Sequence, residues 1–342
     1  MVRMLARIVL GGILALGAAQ AQDSRKPARQ TSLLYQIDTT QITKVWLQAL
    51  QRDARRALSE EKIGHKGVVI AENQVRVNLR EPGQMDAALP RLKKLAAPLP
   101  GLLFDGLFNQ SPGSDLAVTD AGNGVIIIEP TAPGLANRIA TALSRSIEVI
   151  RMRADPGGTG EVSVERQGQD RILIQVPEPA AAEVKARVAV TAKLTFQLVD
   201  TSISVKQAQA EGVPPDDLLL PEASTTGRYV LVHKEVLLSG EGLIRAEGSV
   251  SWREEPAVDF EFNVKGAVTF ARITRENIGK PFAIVLDNKV LSAPVIRTEI
   301  PGGRGQITGN FRLEEANRLA LLLRSGALPA ALSLIEERTG EP

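Results

Sequence analysis

Polar and apolar residues follow two different periods in the first part of the chain. Apolar side chains recur at steps of three and four residues over 42–58, which predicts an amphipathic helix, and residues 84–95 form a second predicted helix despite Pro90. Between them, residues 74–79 alternate strictly between polar and apolar side chains, which predicts a strand with one buried face. We therefore expect an N-terminal α/β subdomain over residues 39–144.

The next part of the chain carries helices and strands in an order that predicts a second unit. A helix begins near Thr131 and ends at residues 155–158, where proline and glycine stop it. The elements that follow are strands at 161–166 and 171–176, a helix at 179–190 and a strand at 193–199. This order is typical of a two-layer α+β sandwich, and we expect a ferredoxin-like base.

Residues 200–305 are more β-rich and separate the base into two parts. Residues 257–264 alternate between apolar and polar side chains, which predicts a strand with one apolar face. A β-hairpin is expected where the turn residues 287–289 separate two apolar runs. A compact helix and strand then follow. We therefore predict a base made of residues 145–199 and 306–342, with a β-rich head inserted over 200–305.

The start of the chain has the features of a secretory signal over residues 1–21. Arg3 and Arg7 form a basic region, an apolar run follows, and residues 19–21 read Ala-Gln-Ala, a small-residue cleavage site. We expect cleavage there, followed by a leader over residues 22–38, and hence a periplasmic protein. The alternative is an uncleaved N-terminal helix that tethers the chain to the inner membrane.

The composition narrows the chemistry that is open to the chain. It has no cysteine, which excludes disulfides, thiolate metal sites and cysteine nucleophiles. Its two histidines, His65 and His233, lie far apart in the sequence, so a histidine-rich metal site is not expected. The chain has 41 basic and 39 acidic residues, and without Arg3 and Arg7 the two numbers are equal. This balance argues against a nucleic-acid partner.

No motif in the sequence indicates catalysis. The glycine-rich segment 302–309 lacks the Gly-Lys-Ser/Thr ending of a phosphate-binding loop and is better explained as a turn. Carboxylates are numerous, but nothing selects one pair as the acid and base of a hydrolase. We therefore predict no catalytic residue, no metal ligand, no cofactor and no small-molecule substrate.

The C-terminal segment carries the most specific pattern in the chain. From residue 279 to residue 339 it resembles SecD, a protein-export subunit, in the stretch before the second membrane helix of that family. The matching motifs stand in order and in spacing: IVLDNKV at 284–290, SAPVI at 292–296, GQI at 305–307, EAN at 315–317 and GALP at 326–329. Weaker matches to the same family lie at 165–176, 193–200 and 236–240.

Two departures from the family are informative. The G-L-D-L-Q-G-G signature of SecD is missing, and residues 25–31 stand in the corresponding place. The sequence ends soon after Thr339, where SecD continues into a membrane bundle whose proton flow, through an intramembrane Asp, drives the periplasmic head. We therefore expect a SecD-like periplasmic domain without the membrane bundle and without a proton-driven motor of its own.

The resemblance implies a module of protein export that contacts translocating or unfolded polypeptides next to the Sec translocon. Expected partners are emerging secretory polypeptides, Sec translocon subunits and a separate membrane subunit. Apolar side chains or a strand edge would bind an extended chain with little sequence preference. The residues expected to contact polypeptide are Phe260, Phe262, Ile284, Leu286, Leu291 and Arg304. Alternating Phe and Ile side chains on strands are also typical of a hydrophobic core.

Three other interpretations stay open. The first is an inactive SecD fragment that folds but has no function alone. The regular signal sequence argues against it, because a broken membrane subunit would keep the standard first membrane helix and signature. The second is an envelope scaffold that binds one fixed partner in a stoichiometric complex. The third is an enzyme, whose turnover would depend on a specific carboxylate pair.

Overall fold

The computed structural model describes residues 29–99, 113–251 and 253–340. The predicted signal sequence or anchor at residues 1–21, together with residues 22–28 of the predicted leader, lies outside the described residues. Within the described ranges, no helix combines the length and the apolar character needed to cross a membrane.

Seven α-helices and seventeen β-strands lie within the described residues, and they form several antiparallel sheets. The helices are α1 (Thr39–Glu60), α2 (Met85–Lys93), α3 (Ala132–Ala154), α4 (Glu178–Val188), α5 (Val205–Glu211), α6 (Val264–Glu276) and α7 (Leu313–Ser325). The strands are β1 (Gln30–Ile37), β2 (His65–Ala71), β3 (Gln74–Leu79), β4 (Leu116–Gly122), β5 (Val125–Pro130), β6 (Ser163–Gln167), β7 (Arg171–Pro177), β8 (Leu194–Leu198), β9 (Asp217–Pro221), β10 (Tyr229–His233), β11 (Leu238–Ser239), β12 (Leu243–Val250), β13 (Pro256–Phe262), β14 (Phe282–Leu286), β15 (Lys289–Ser292), β16 (Arg304–Thr308) and β17 (Leu332–Gly340). This mixture confirms the predicted α+β class.

The N-terminal subdomain is a four-stranded antiparallel sheet in the order β2-β3-β5-β4, packed against α1 and α2. Asp38 caps α1, because its carboxylate accepts the backbone N–H groups of Thr40 and Gln41, each at 3.0 Å. The apolar face of α1 enters the core through residues such as Leu58, which is fully buried. Helix α2 accommodates Pro90, as the sequence predicts.

The base is a second four-stranded antiparallel sheet in the order β17-β1-β7-β6, with α3 and α4 packed on one face. In chain order its elements are β1, α3, β6, β7, α4 and β17, which is a ferredoxin-like pattern. The predicted leader over residues 22–38 is wrong for residues 30–37, which form β1, an inner strand of this sheet. The physical reason is that Leu33, Tyr35 and Ile37 point to one face and are buried in the base core.

Two sheets enclose the aromatic core of the head. The first has the order β11-β8-β14-β15 and the second has the order β12-β13-β16. Helices α6 and α7 contribute to the same core, the latter through Leu319 and Leu323. Five phenylalanine rings make eight contacts there, with ring centroids between 5.5 and 6.4 Å apart. These rings belong to Phe196, Phe260, Phe262, Phe270 and Phe282.

The observed pairing shifts the boundaries that the sequence predicts for the head. Strand β8 falls in the predicted base segment 145–199 but pairs with β14, and α7 falls in segment 306–342 but packs against β12 and β13. Residues 194–197 are all buried, so β8 needs a sheet that is covered on both faces. The spacing of apolar residues in α7 predicts a helix, but it does not predict which sheet the helix covers. The head elements thus lie over residues 194–325, between the two parts of the base.

The β9–β10 hairpin covers the second face of the β11-β8-β14-β15 sheet. Leu220 and Val232 of the hairpin pack with Ala283, Val285 and Val290 in a small separate core. The candidate site lies beside this hairpin and is lined in part by Thr195 and Gln197 of β8.

Candidate functional site

Two connectors join the base to the head, residues 189–193 after α4 and residues 326–331 before β17. Arg153, near the C-terminal end of α3, is fully buried between them. Its guanidinium donates to the Gly326 carbonyl at 2.7 Å and to two carbonyls of the first connector. Burial lowers the pKa of Arg153 to about 10, although the negative charge of Asp287 counteracts this shift. Arg153 is therefore charged at neutral pH, and this one cation binds both connectors.

The β14–β15 turn of the head is hydrogen-bonded to the first connector. Asp287 and Asn288 have φ angles of 46° and 62°, the left-handed values of a two-residue hairpin turn. The Asp287 carboxylate accepts the backbone N–H groups of Ala192 and Lys193, each at 2.8 Å. The hairpin predicted from the sequence therefore forms, and its aspartate holds the connector against the turn.

A cleft of about 710 Å³ lies where the first connector, the β14–β15 turn and the β9–β10 hairpin meet. We call it the junction cleft. Its floor is formed by Thr195 and Gln197 of β8, which are both buried. Its apolar walls include Val190, Leu218, Val236, Leu286 and Leu291, and its rim carries Lys193, Lys234 and Lys289.

Hydrogen bonds order the floor of the junction cleft. The Thr195 hydroxyl donates to Gln197 Oε1 at 3.1 Å, and Gln197 Nε2 donates to the His233 carbonyl at 2.8 Å. Because both side chains are buried, these bonds fix their orientation. They use one of the two amide hydrogens of Gln197 and leave the lone pairs of the Thr195 oxygen free to accept. The floor can therefore both donate to and accept from a bound polar group.

Three exposed lysines surround the opening of the junction cleft. Within the described ranges, Lys193, Lys234 and Lys289 form no salt bridge. Lys234 Nζ donates instead to the Pro215 carbonyl. Asp287 also lines the cleft, but its two oxygens accept backbone N–H groups of the connector. The rim therefore has a positive potential.

The structure places the residues predicted as polypeptide contacts in different surroundings. Leu286 and Leu291 line the junction cleft, and both also pack with the head core, where Leu291 is 8% exposed. Phe260, Phe262 and Ile284 are at most 4% exposed and belong to the head core. Direct contact between these three side chains and a polypeptide does not fit this placement. Their alternation along the strands corresponds to the core face of each sheet.

Arg304, the sixth predicted contact, lies on the outer face of the β12-β13-β16 sheet. It pairs with Glu261 at 3.1 Å, and Arg245 pairs with Glu247 at 2.8 Å on the same face. These residues surround a depression of about 500 Å³. Because its charges pair with one another in solvent, this surface is typical of the hydrated side of an antiparallel sheet. The junction cleft, whose rim lysines form no salt bridge with the residues that the structure describes, is the stronger candidate.

The polar floor of the junction cleft is not among the contacts predicted from the sequence, although the sequence carries a signal for it. Thr195 and Gln197 alternate with Leu194, Phe196 and Leu198 along β8, and this alternation is the signal that places them on the opposite face. The rim lysines carry no comparable signal, because the fold brings them together from three distant segments.

The two histidines do not form a metal site. In the described part of the chain, no group of three or more His, Cys, Asp or Glu residues is suited to a metal ion. His233 Nδ1 instead lies 2.7 Å from Oδ1 of Asp217, a buried carboxylate. Hydrogen bonds from the backbone and hydroxyl of Ser202 lower the pKa of Asp200 nearby. This polar cluster fixes the end of the β9–β10 hairpin.

Comparison with known proteins matches two regions of the chain to one family. Residues 217–330 match the SecDF P1 head subdomain, and residues 143–201 match the N-terminal part of the P1 domain of protein translocase subunit SecDF. The protein translocase subunit SecD of Rickettsia conorii is 36% identical over 313 residues, and that of Rhodobacter capsulatus is 39% identical over 314 residues.

These relatives are longer than the matched chain. Each alignment covers 91% of this chain but 57% and 55% of the two relatives, so the chain spans little more than half of their length. Among solved structures, one of a membrane component SecDF that enhances protein export is 32% identical, with a TM-score of 0.48. That match covers 58% of this chain and 93% of the solved chain.

Proposed function

Since this chain belongs to the SecD family of protein translocase subunits through its P1 region, we propose that it acts in protein export by contacting translocating or unfolded polypeptides. The contact would take place outside the cytoplasm, beside the Sec translocon. In this proposal the chain has no proton-driven motor of its own, and a separate membrane subunit supplies the work. No catalytic step is assigned to it.

The observation that supports this proposal is the junction cleft. Its volume of about 710 Å³ suits several residues of an extended chain, and its lining combines apolar walls with a hydrogen-bonding floor. Such a lining can bind backbone amides together with mixed side chains, so it tolerates many sequences. Leu286 and Leu291 remain proposed contact residues, since both line the cleft.

The other predicted contacts support the cleft indirectly in this proposal. Ile284 packs in the head core on β14, the strand that ends in the Asp287 turn, and Phe260 and Phe262 complete the same core. They would position the cleft wall without touching polypeptide.

Photo-crosslinking in living cells tests the proposal. A photoreactive residue replaces Val236, which lines the junction cleft and is 46% exposed, or Val69 on β2, which is 45% exposed and serves as the matched control. We expect the Val236 probe to trap many secreted proteins and the Val69 probe to trap few, as identified by mass spectrometry. A single stoichiometric adduct at Val236 would instead indicate an envelope scaffold. Equal adducts at both positions, or none, would contradict a polypeptide-binding cleft.

A further inference from the structure

We infer that the junction cleft selects acidic segments of polypeptide, with the ammonium groups of Lys193, Lys234 and Lys289 binding their carboxylates. This inference rests on the proposed function and names the class of sequence that the cleft would prefer. It depends on three features: the charge of the rim, the hydrogen-bonding capacity of the floor and the concave shape of the site.

The charge of the rim is not neutralised by the cleft itself. No salt bridge engages the three lysines within the described residues. Asp287 lines the cleft, but its carboxylate oxygens accept the N–H groups of Ala192 and Lys193 at 2.8 Å and are held against the connector. The outer face of the β12-β13-β16 sheet differs, because Arg304 and Glu261 pair there. An incoming carboxylate would therefore meet three cations in a cleft whose one lining carboxylate, Asp287, already accepts two backbone N–H groups.

The three lysines come from three different elements, which gives the rim its breadth. Lys193 ends the first connector, Lys234 follows β10, and Lys289 begins β15. The backbone N–H of Asp287 donates to the Lys193 carbonyl at 3.1 Å, so Lys193 lies beside the turn that carries Lys289. Flexible ammonium groups on separate elements can follow carboxylates at different spacings. The site thus suits an acidic segment of varied sequence better than one fixed motif.

The floor complements the rim. An amide N–H of Gln197 remains after its bond to the His233 carbonyl, and the Thr195 oxygen can still accept a hydrogen bond. A peptide backbone provides one donor and one acceptor per residue, which matches this pair. The walls at Leu218 and Val236 provide apolar contact between the charged positions. A peptide with spaced carboxylates and small or apolar residues between them fits all three regions.

The concave shape favours a peptide over a bilayer surface. The lysines line a cleft that is bounded by the connector on one side and by the β9–β10 hairpin on another. A flat membrane could not enter this concavity or reach Thr195 and Gln197, which are 7% and 3% exposed. An extended chain is narrow enough to do so.

Fluorescence anisotropy with the full chain tests the inference. Three labelled peptides of equal length carry spaced glutamate, glutamine or lysine residues on the same Gly-Ser-Leu background. The test variant replaces Lys193, Lys234 and Lys289 with glutamine. The matched control replaces three exposed lysines of the N-terminal subdomain, Lys66, Lys93 and Lys94, and removes the same charge. Circular dichroism and thermal unfolding of each variant check that the fold is kept.

We expect the glutamate peptide to bind most tightly and the cleft variant to lose about tenfold in affinity for it, since each exposed charge pair contributes a fraction of 1 kcal/mol. The control variant should bind as the parent does, and added salt should remove the preference for glutamate. Equal binding of all three peptides, with a dependence on Val236 but not on the lysines, would overturn the inference and leave the proposed function intact. No binding of any peptide, together with no adducts at Val236, would overturn both. Tighter binding to vesicles with anionic lipid than to the glutamate peptide, lost in the cleft variant, would assign the lysines to a membrane surface and also overturn the inference.

Discussion

Arg153 and Asp287 bind successive parts of the same connector with opposite charges. Arg153 donates to the carbonyls of residues 190–191, and Asp287 accepts the N–H groups of residues 192–193. One residue belongs to the base and the other to the head. Because a buried backbone group without a partner is costly, the two side chains together fix the path by which the chain leaves the base. The wall of the junction cleft is therefore set by an arginine and an aspartate that lie far apart in the sequence.

Replacing Arg153 with methionine should strongly destabilise the protein. The substitution leaves the carbonyls of both connectors without their donor in a buried site, and we expect a loss of about 2–4 kcal/mol in the free energy of unfolding. Urea denaturation measures this change. The control is Arg145→Met on the exposed side of the same helix, which should change stability by less than about 0.5 kcal/mol. Equal effects of the two substitutions would show that the Arg153 bonds contribute nothing specific.

Replacing Phe262 with leucine should weaken the fold without changing polypeptide contact. The ring of Phe262 packs against Phe196, Phe260 and Phe270 at 5.5 to 5.6 Å between centroids, and leucine would leave part of that volume empty. We expect a loss of about 1–3 kcal/mol in unfolding free energy, measured by denaturant titration.

In cells, the same variant should give an unchanged set of adducts from the probe at Val236. A loss of adducts in a variant that is still folded would support the original prediction that Phe262 contacts polypeptide directly.

Gly305 should not tolerate a side chain. An added Cβ would lie 2.3 Å from Cζ of Phe260, whose ring covers this glycine from the neighbouring strand. Gly305→Ala therefore forces the ring to move within a packed core, and we expect a loss of about 1–3 kcal/mol. Gly83→Ala is the matched control, since no atom lies within 4 Å of the Cβ position there. Thermal unfolding of both variants tests the difference, and a neutral Gly305→Ala would show that the head core is loosely packed.

The cap of α1 should make stability depend on pH in the acid range. Hydrogen bonds from the Thr40 hydroxyl and from the backbone of Gln41 and Thr40 lower the pKa of Asp38 in the folded protein. A lowered folded-state pKa means that the stabilisation is present above the ordinary aspartate pKa and is lost as the pH falls through the folded value. Asp38→Ala should cost about 1 kcal/mol at neutral pH, and this difference should shrink in acid.

Asp38→Asn tests the negative charge of residue 38 separately from its capping hydrogen bonds. Asparagine caps helices about as well as aspartate, so stability at neutral pH should be kept while the pH dependence of this site disappears. Unfolding measured at several pH values distinguishes the three proteins. An Asp38→Ala difference that stays constant down to strongly acid pH would contradict the assigned cause.

The sequence predicts local elements well and pairing between distant elements poorly. The β14–β15 hairpin follows from turn residues such as Asp287, and α3 follows from its cap at Thr131, because both signals lie within a few residues. The sequence pattern places residues 30–37 in a leader although Leu33, Tyr35 and Ile37 recur at every second position, because the partner strands β7 and β17 lie far along the chain. Pairing at that range depends on tertiary packing, which one short pattern does not encode.

In the candidate site, too, the sequence predicts local features better than it predicts which distant residues come together. Leu286 and Leu291 are predicted contact positions, and the structure places both in the lining of the junction cleft. Phe260 and Phe262 were included because an alternating strand has one apolar face, but the pattern does not say whether that face meets solvent or a second sheet. The rim of Lys193, Lys234 and Lys289 could not be predicted, because it exists only once β8, β10 and β15 have assembled.

The pairing of β1 with β17 also gives the base a mechanically weak direction. Gln30, the first residue of β1, pairs with Gly340, the last residue of β17, in an antiparallel register. A force that pulls these two points apart would load the hydrogen bonds of the pair one after another instead of all at once in shear. Such tension would peel β17 from the edge of its sheet before it reached the aromatic core of the head.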